Sequence, residues 1–379
     1  MSALRRRFLR IALFVLGGLL LSIGLVIGGH YLLKAFAKQG YERELAARNP
    51  VRVEALGTDS LLVRNPVFES GQDPWIVADT LPDGAVEYIY IYSEADTAIA
   101  FKRGRDPLRF DEVEPYTRWT PGPGDAHGKL ANLWAPELHR VGGQWVVYFA
   151  ANDGSPLVAG THLTYALRAV DNDPRRGFGF AGEVALPDGA WAIDATNLDI
   201  GEEHYLVWSG WREGEALNQY LFICRMADAF TPVGPRVEIS APTYDWELRG
   251  RRAGLWPSIN EGPVQLDFGG ETYVVYSASG SWSNDYTLGA LRLTGDDPMS
   301  PSAWEKRPTP ILARDGDILG PGHNGFFWYG GQLLAIYHAA KYSRAAWDRE
   351  VHVGLVREGK DGWPVIAPPR EEVRLGGRG

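Results

Sequence analysis

The chain has too few cysteines to form the disulfides of small secreted proteins or a multi-cysteine metal site. Its 379 residues include a single cysteine, Cys224, which excludes an intramolecular disulfide and any multi-cysteine metal cluster. The apolar neighbours of Cys224 predict a buried, inert thiol. What the sequence does hold is 45 glycines, 25 prolines and 12% aromatic residues, which favours short strands joined by tight turns over long helices. We expect an all-β body.

Acidic residues are absent from residues 1–38, which carry six basic ones. The other 341 residues therefore hold 32 basic and 47 acidic groups, a balance of −15. Binding of nucleic acid depends on neutralising phosphates. The acidic body thus argues against nucleic acid as a partner.

Charged residues are also absent from residues 11–33, a run of 23 residues. At ~1.5 Å per residue this run can cross a bilayer core of ~30 Å. Four arginines before it and two lysines after it predict a cytoplasmic N-terminus and a body on the extracytoplasmic, periplasmic side of the cytoplasmic membrane. A cleaved signal ending at Ala35-Phe36-Ala37 is the alternative, but the run exceeds the usual apolar core of ~7–15 residues.

We therefore divide the chain into four parts. A cytoplasmic basic tail (1–10) precedes a transmembrane signal anchor (11–33), a short polar helical stalk (34–54) and the body (55–379).

Five strand-like segments of one kind recur along the body, each preceded by a turn signal and ending in an aromatic residue. These aromatics, separated by 56, 60, 68 and 61 residues, are Tyr92, Tyr148, Trp208, Tyr276 and Tyr337. The period fits four strands per unit. Two β-sandwiches would also give short strands, but they lack such a superperiod. We predict a five-bladed β-propeller.

Upstream of each aromatic segment lies a polar residue that core packing would not select: Asp73, Glu137, Asp194, Glu261 and His323. Taken singly, each is more often a turn or a satisfied core group; recurring in phase with the repeat, they indicate function. On innermost strands they would meet at the propeller axis. Close carboxylates in different surroundings acquire different pKa values and can supply an acid and a base, as glycoside hydrolysis requires.

The motifs around these residues occur in a fixed order. They are QDPWIV (72–77), LWAPELHRVGGQWVVYFAA (133–151), AIDATNL (192–198), YDWELRG (244–250), NEGPV (260–264), YSASGSWSNDYTLGAL (276–291), GPGHNGF (320–326) and YHA (337–339). With them, the chain from about Asn65 to Pro369 resembles glycoside hydrolase family 43, and within it the exo-acting α-L-arabinofuranosidases.

The resemblance implies a five-bladed propeller that removes terminal α-L-arabinofuranosyl residues from arabinan or arabino-oligosaccharides with inversion, without a required cofactor. It implies Asp73 as general base, Glu261 as general acid, and Asp194 as the group that raises the pKa of the acid and orients it. The substrate-binding residues that it implies are Trp134, Glu137, His323 and Arg349, with a water-mediated structural calcium near His323 as a secondary expectation.

Other functions stay open at this point. A fructan hydrolase is disfavoured because Glu261 is followed by Gly262 and not by cysteine. β-Xylosidase and endo-arabinanase specificities depend on pocket depth, which the sequence does not show. A non-catalytic, membrane-tethered sugar-binding propeller is disfavoured because all three acids are present.

Overall fold

The computed structural model describes residues 24, 27–56, 60–122, 130–154, 160–252, 255–370 and 372–376. Residues 27–47 form a helix, α1. The strands of the described residues are β1 (Val53–Ala55), β2 (Ser60–Val63), β3 (Trp75–Thr80), β4 (Val86–Glu94), β5 (Ala98–Gly104), β6 (Thr117–Trp119), β7 (Ala131–Val141), β8 (Gln144–Asn152), β9 (Leu163–Ala169), β10 (Phe178–Glu183), β11 (Ala192–Ile200), β12 (Glu203–Gly210), β13 (Tyr220–Met226), β14 (Pro232–Ser240), β15 (Asn260–Phe268), β16 (Glu271–Ala278), β17 (Thr287–Leu293), β18 (Trp304–Lys306), β19 (Leu319–Tyr329), β20 (Gln332–Ala340), β21 (Arg349–Glu358), β22 (Pro364–Ile366) and β23 (Val373–Gly376). Short 3-10 helices lie between strands at Pro107–Glu112, Val170–Asn172, Pro174–Arg176, Pro187–Gly189 and Pro301–Ala303.

Strands β3 to β22 form five antiparallel sheets of four strands each, and every sheet uses four consecutive strands. The first strands of neighbouring sheets, β3, β7, β11, β15 and β19, contact one another in sequence, and β19 contacts β3. The ring of inner strands is therefore closed. This arrangement is a five-bladed β-propeller, and it confirms the predicted all-β fold.

Burial along the strands follows their place in each blade. The second strands β12, β16 and β20 are buried over most of their length, because adjacent blades cover both of their faces. The outermost strand β10 instead alternates between half-buried and exposed residues. Aromatic stacking joins adjacent blades; the ring centroids of Phe101 and Phe178 lie 4.2 Å apart.

The segment that precedes the first blade is attached to the last one. Val67 and Phe68 donate backbone hydrogen bonds to the carbonyl oxygen of Val351 in β21. The side chain of Asn65 pairs with both backbone groups of Val353, donating to its oxygen (2.8 Å) and accepting from its nitrogen (2.9 Å). Strands β1, β2 and β23 form a separate three-stranded sheet that joins the two ends of the body. These contacts join the first and last blades through residues that lie outside the inner strands.

A residue with left-handed backbone torsion stands at the axial end of every blade: Asp73 (φ 46°), Ala135 (43°), Asp194 (55°), Gly262 (54°) and His323 (48°). The strand register is shifted next to this residue in β7, β11, β15 and β19. Such bulges turn a side chain out of the regular alternation and toward the axis. The repeat is therefore built into the backbone as well as into the sequence.

The bulges correct part of the predicted alignment. Asp73, Asp194 and His323 are equivalent, as predicted. Glu137 is not, since it lies opposite Tyr148 as Thr196 lies opposite Val207; Glu137 is thus the counterpart of Thr196. Phe149, and not Tyr148, is then the counterpart of Trp208. Glu261 precedes the bulge residue by one position.

Helix α1 covers most of the segment predicted as a short polar helical stalk (34–54), and it packs on the propeller. The Tyr41 hydroxyl donates to Glu350 Oε2 (2.8 Å), and Arg48 Nη1 lies 3.1 Å from the same oxygen. Tyr41 also packs with Leu319 and Tyr342 in an apolar cluster. Since these residues begin β19 or follow β20, α1 lies on the face of the propeller where the inner strands start. The end of the predicted stalk belongs instead to β1.

No helix in the described part of the chain is long and apolar enough to span a membrane. Residues 11–23, 25 and 26 of the predicted anchor lie outside the described residues, so the anchor stays a prediction. Its predicted boundary at residue 33 lies too far along the chain, because His30 Nδ1 contacts Arg344 Nη1 of the propeller at 2.9 Å. A spanning segment would have to end before His30.

We expect Asn65→Ala to lower the free energy of unfolding by about 2 kcal/mol, because it leaves the N–H and the C=O of Val353 without partners. Urea denaturation of the full chain in detergent measures the change. Asn49→Ala, which removes one exposed hydrogen bond to Val51, is the matched control and should change stability by less than about 0.5 kcal/mol. Equal losses in both variants would mean that Asn65 does not hold the closure.

Candidate active site

The bulges bring the predicted site residues to one place. Asp194 and His323 lie in the bulges of β11 and β19, Glu261 lies next to the bulge of β15, and Asp73 has the same left-handed backbone just before β3. Only Asp73 retains appreciable exposure, with 23% of its side chain open to solvent. Asp194, Glu261 and His323 are buried. The site is therefore a pocket at the axis whose open side is lined by Asp73.

Asp73 is surrounded by nitrogen atoms. Its Oδ1 lies 3.2 Å from His323 Nδ1, 3.3 Å from His338 Nδ1 and 3.7 Å from Arg349 Nη1. The backbone N–H of Asp73 also donates to His338 Nδ1 (3.1 Å). Burial by itself raises the pKa of Asp73, but His323, His338 and Arg349 outweigh it and hold this pKa well below its usual range. Asp73 is an ionised carboxylate at neutral pH.

The two histidines beside Asp73 are neutral. Burial is the largest cause that lowers the pKa of His338, to about 3, and it also lowers that of His323. His338 Nδ1 lies within reach of both the backbone N–H and Oδ1 of Asp73, so it accepts from the N–H when it is unprotonated and donates to Oδ1 when it carries a proton. Arg349 is then the permanent positive charge of the pocket, held by a hydrogen bond from its Nη2 to the carbonyl oxygen of Ser281 (2.7 Å).

Glu261 and Asp194 titrate in the opposite direction. Burial raises the pKa of Glu261 to about 7, with Asp73 adding to the rise, while the Tyr286 hydroxyl and Arg349 oppose it. Burial and the charge of Glu261 raise the pKa of Asp194 well above its usual value. The Gly262 N–H donates to Asp194 Oδ2 (3.0 Å), which fixes that carboxyl beside Glu261. Because two anions would repel here, the pair holds a proton near neutral pH.

Asp73 and Glu261 are connected through two rings. The Tyr286 hydroxyl donates to Glu261 Oε1 (2.8 Å), and the Tyr286 ring stacks on His338, with centroids 5.6 Å apart. His338 in turn contacts Asp73. The pocket thus contains an ionised carboxylate and a protonated carboxyl held by one framework. This combination can accept a proton at one atom and donate one at another.

Glu137 lies beside the pocket but is engaged with the protein. It is 2% exposed, and its Oε2 lies 2.8 Å from His139 Nε2. Burial raises the pKa of Glu137 well above its usual value and lowers that of His139 to about 3. A protonated Glu137 can therefore donate to a neutral His139. This bond directs one carboxyl oxygen toward His139, and the predicted role of Glu137 in binding substrate or structuring the axis stays a prediction.

Trp134 stands at the edge of the pocket. It is half-buried, and its ring stacks on His162, with centroids 3.7 Å apart and planes 18° apart. It packs in an apolar cluster with Trp191 and Ile193, the residue before Asp194. The aromatic side chains around Trp134 thus pack against β11, the strand that carries Asp194.

Three further residues of the site, His338, Tyr286 and Gln219, were not predicted from the sequence. His338 follows the repeated aromatic Tyr337 within a quoted motif, so its position in the repeat was a usable signal. Tyr286 also lies within a motif, YSASGSWSNDYTLGAL (276–291), but in the connection before β17 and outside the repeated strands. Gln219 hydrogen-bonds Glu261 and lowers its pKa, but precedes β13 in a segment without periodicity.

No group of three or more His, Cys, Asp or Glu side chains in the described ranges is arranged to hold a metal ion. The nitrogen atoms around Asp73 also suit calcium poorly, because calcium takes oxygen ligands. These nitrogen atoms do not bind calcium directly, and the water-mediated calcium predicted near His323 stays a prediction.

The chain is similar to known glycoside hydrolases in sequence and in structure. The model of the family "Glycosyl hydrolases family 43" matches residues 63–364. The chain is 30% identical over 337 residues to an extracellular exo-α-(1→5)-L-arabinofuranosidase of Streptomyces avermitilis, covering 86% of this chain and 67% of that protein. It is 32% identical over 291 residues to a protein of the same description from Streptomyces chartreusis (75% and 84% covered). The crystal structure of an α-L-arabinofuranosidase from Lactobacillus brevis superposes with a TM-score of 0.71 at 27% identity, covering 80% of this chain and 96% of that one.

We expect Tyr286→Phe to raise the pKa of Glu261 above its value of about 7, because a hydroxyl that donates to the carboxylate stabilises its charged form. Carbon-13 NMR titration of the chain labelled at glutamate side-chain carboxyls measures this, with Glu261→Gln identifying the resonance. Tyr273→Phe, at a buried tyrosine in another cluster, is the matched control. An unchanged or lower pKa in Tyr286→Phe would contradict the geometry.

Proposed function

The chain belongs to glycosyl hydrolases family 43 and is a glycoside hydrolase, and from this premise we propose that it removes terminal α-L-arabinofuranosyl residues from arabinan or arabino-oligosaccharides with inversion of configuration. Its curated relatives from Streptomyces bear the description exo-α-(1→5)-L-arabinofuranosidase. These names support arabinose as the sugar and the chain end as the point of attack.

One observation carries the proposed chemistry. Two carboxyl groups of one pocket are driven to opposite protonation states, Asp73 ionised by His323, His338 and Arg349, and Glu261 protonated by burial. An inverting hydrolase needs such a pair, since its base takes a proton from water while its acid gives one to the leaving oxygen.

In the proposed reaction Asp73 accepts a proton from a water molecule, and the water oxygen forms a bond to the anomeric carbon. The bond from that carbon to the glycosidic oxygen breaks on the opposite side. Glu261 donates its proton to this oxygen, which leaves as a hydroxyl group of the shortened chain. Asp194, fixed by Gly262 beside Glu261, disfavours a second negative charge there because two adjacent anions would repel, so the pair retains one proton.

Arg349 and Trp134 have positions suited to the substrate. Arg349 is held between Asp73 and the Ser281 carbonyl, so its guanidinium can position the sugar against the base. Trp134 forms the aromatic wall beside Asp194. We assign to His323, together with His338, the positioning of Asp73.

We also propose that a membrane anchor precedes the enzyme and holds it on the extracytoplasmic side. The uncharged run that begins at residue 11 supports this, and so do large apolar side chains left exposed near the start of α1, at Ile27 and Tyr31. With His30 at the propeller, the span would comprise about residues 11–29, which is long enough for a bilayer of ~30 Å.

Substrates with different leaving groups distinguish the proposed roles of Glu261 and Asp73. We expect Glu261→Gln to lower kcat/KM on α-1,5-arabinobiose by about 10³-fold, and much less on p-nitrophenyl α-L-arabinofuranoside, whose leaving group needs little protonation. Asp73→Asn should lose about 10³-fold on both, because water activation is lost; asparagine tolerates the left-handed backbone at this position.

Glu271→Gln, at an exposed carboxyl on β16, is the control and should match the parent. Proton NMR of the first product from the parent should show the β anomer. Turnover of xylo-oligosaccharides but not of arabinosides would replace the proposed sugar, and equal losses of Glu261→Gln on both substrates would refute the assignment of the acid.

The pH dependence follows from the same pair. The acid must be protonated, so kcat/KM should fall about tenfold per pH unit as pH rises through about 7, the pKa of Glu261. The base must be ionised, and because the pKa of Asp73 is depressed, the acidic fall should lie well below the ordinary aspartate range near ~4. Initial rates on arabinobiose between pH 3 and 9 test this. A profile that is flat from pH 6 to 9 would contradict it.

A further inference from the structure

A second pocket, of about 510 Å³, opens on the same face of the propeller as Asp73. Three tryptophans line it: Trp256, Trp282 and Trp347. Trp256 and Trp347 are 42% and 49% exposed, so their ring faces are available to a ligand. The rings of Trp256 and Trp282 lie 4.6 Å apart at 32°, which makes a continuous aromatic surface.

Polar groups stand around these rings. Asn284 donates to Ser343 Oγ (2.9 Å) across the pocket, from the connection before β17 to the connection after β20. Helix α1 adds His30 and Lys34, and the contact of His30 with Arg344 holds the helix at the rim. Aromatic faces beside hydrogen-bonding groups suit a sugar, whose C–H faces pack on rings while its hydroxyls need polar partners.

The pocket adjoins the catalytic groups through one residue. The Trp347 indole N–H donates to Ser281 Oγ (3.4 Å), and the Ser281 carbonyl accepts from Arg349, which lies beside Asp73. The lining residues Ser283 and Asn284 come just before Tyr286, which donates to Glu261. The loop that lines the second pocket therefore reaches Arg349 through Ser281 and Glu261 through Tyr286.

We propose that this second pocket binds the leaving-group side of the oligosaccharide chain, and that α1 forms one of its walls. The inference rests on the proposed function, in which Glu261 protonates the leaving oxygen, because the departing chain must then emerge on that side. Sugar units beyond the scissile bond would stack on Trp256 and Trp347, while Asn284 and Lys34 hydrogen-bond to their hydroxyl groups.

The test compares substrates of different length on the full chain in detergent. The parent should show kcat/KM rising from arabinobiose to α-1,5-arabinotetraose. Trp256→Ala and Trp347→Ala should each lower kcat/KM on arabinotetraose about tenfold and leave p-nitrophenyl α-L-arabinofuranoside within about twofold. Lys34→Ala should lower only the tetraose value, about threefold.

Trp328→Ala is the matched control, since Trp328 is 61% exposed but lies toward the other end of β19 from His323. Equal effects of Trp256→Ala and Trp347→Ala on all substrates, or no effect on any, would overturn the proposal. An unchanged tetraose value in Lys34→Ala would remove α1 from the site.

Two further outcomes separate this proposal from its premise. If no arabinoside is hydrolysed, the proposed function fails, and tryptophan fluorescence titration with arabino- and xylo-oligosaccharides tests the pocket alone. A saturable change lost in Trp256→Ala and Trp347→Ala would support the pocket, and no saturable change would overturn it. Quenching of Trp256 and Trp347 by brominated phosphatidylcholine in nanodiscs, with chain-length dependence unaltered by substitution, would instead make this surface a lipid contact and refute the proposal.

Discussion

Closure of the ring constrains everything that the site does. Five inner strands must reach one axis, and regular strands would direct their alternate side chains into the packed interfaces between blades. A left-handed residue at the axial end of each blade breaks this alternation and turns one side chain toward the centre. Three of the five positions carry ionisable groups, Asp73, Asp194 and His323; the other two, Ala135 and Gly262, do not. The backbone thus places five residues near the axis, and their side chains determine which of them can take part in proton transfer.

The carboxyl groups of the site differ in pKa because different blades supply their neighbours. Asp73 belongs to the first blade, but its nitrogen-bearing neighbours His323, His338 and Arg349 all come from the last, because the ring brings the two ends of the body together. Asp194 and Glu261 come from neighbouring middle blades. The Gly262 N–H opposes the effect of burial on Asp194, and Tyr286, Arg349 and Gln219 oppose it on Glu261, but burial outweighs them. The opposite pKa shifts of Asp73 and Glu261 thus follow from which blades supply their neighbours. The contact of Asn65 with the last blade helps to keep Asp73 beside its charged neighbours.

The fold was readable from the sequence because its signal is repeated. A strand ending in an aromatic recurs five times, and the repeated turns make the blade length visible. The site was readable where it coincides with the repeat, at Asp73, Asp194 and His323. Glu137 was misaligned because bulges shift the register by a residue or two, which a spacing between aromatics does not resolve. Tyr286 lies within the motif at 276–291, but its role was missed because it depends on a contact with Glu261 elsewhere in the chain. The docking of α1 was missed for the same reason, since it depends on contacts with the last blade.

The placement of α1 has a consequence for how substrate reaches the enzyme. Because α1 contacts the propeller on its catalytic face, the proposed membrane anchor before α1 would bring the bilayer close to that face. A large polysaccharide would then be excluded by the bilayer on one side and the blades on the other. Short, flexible oligosaccharides could still slide in along the membrane plane. Attachment at this point would act as a size filter, so that selection by length would be decided by geometry outside the pocket before any sugar ring is recognised.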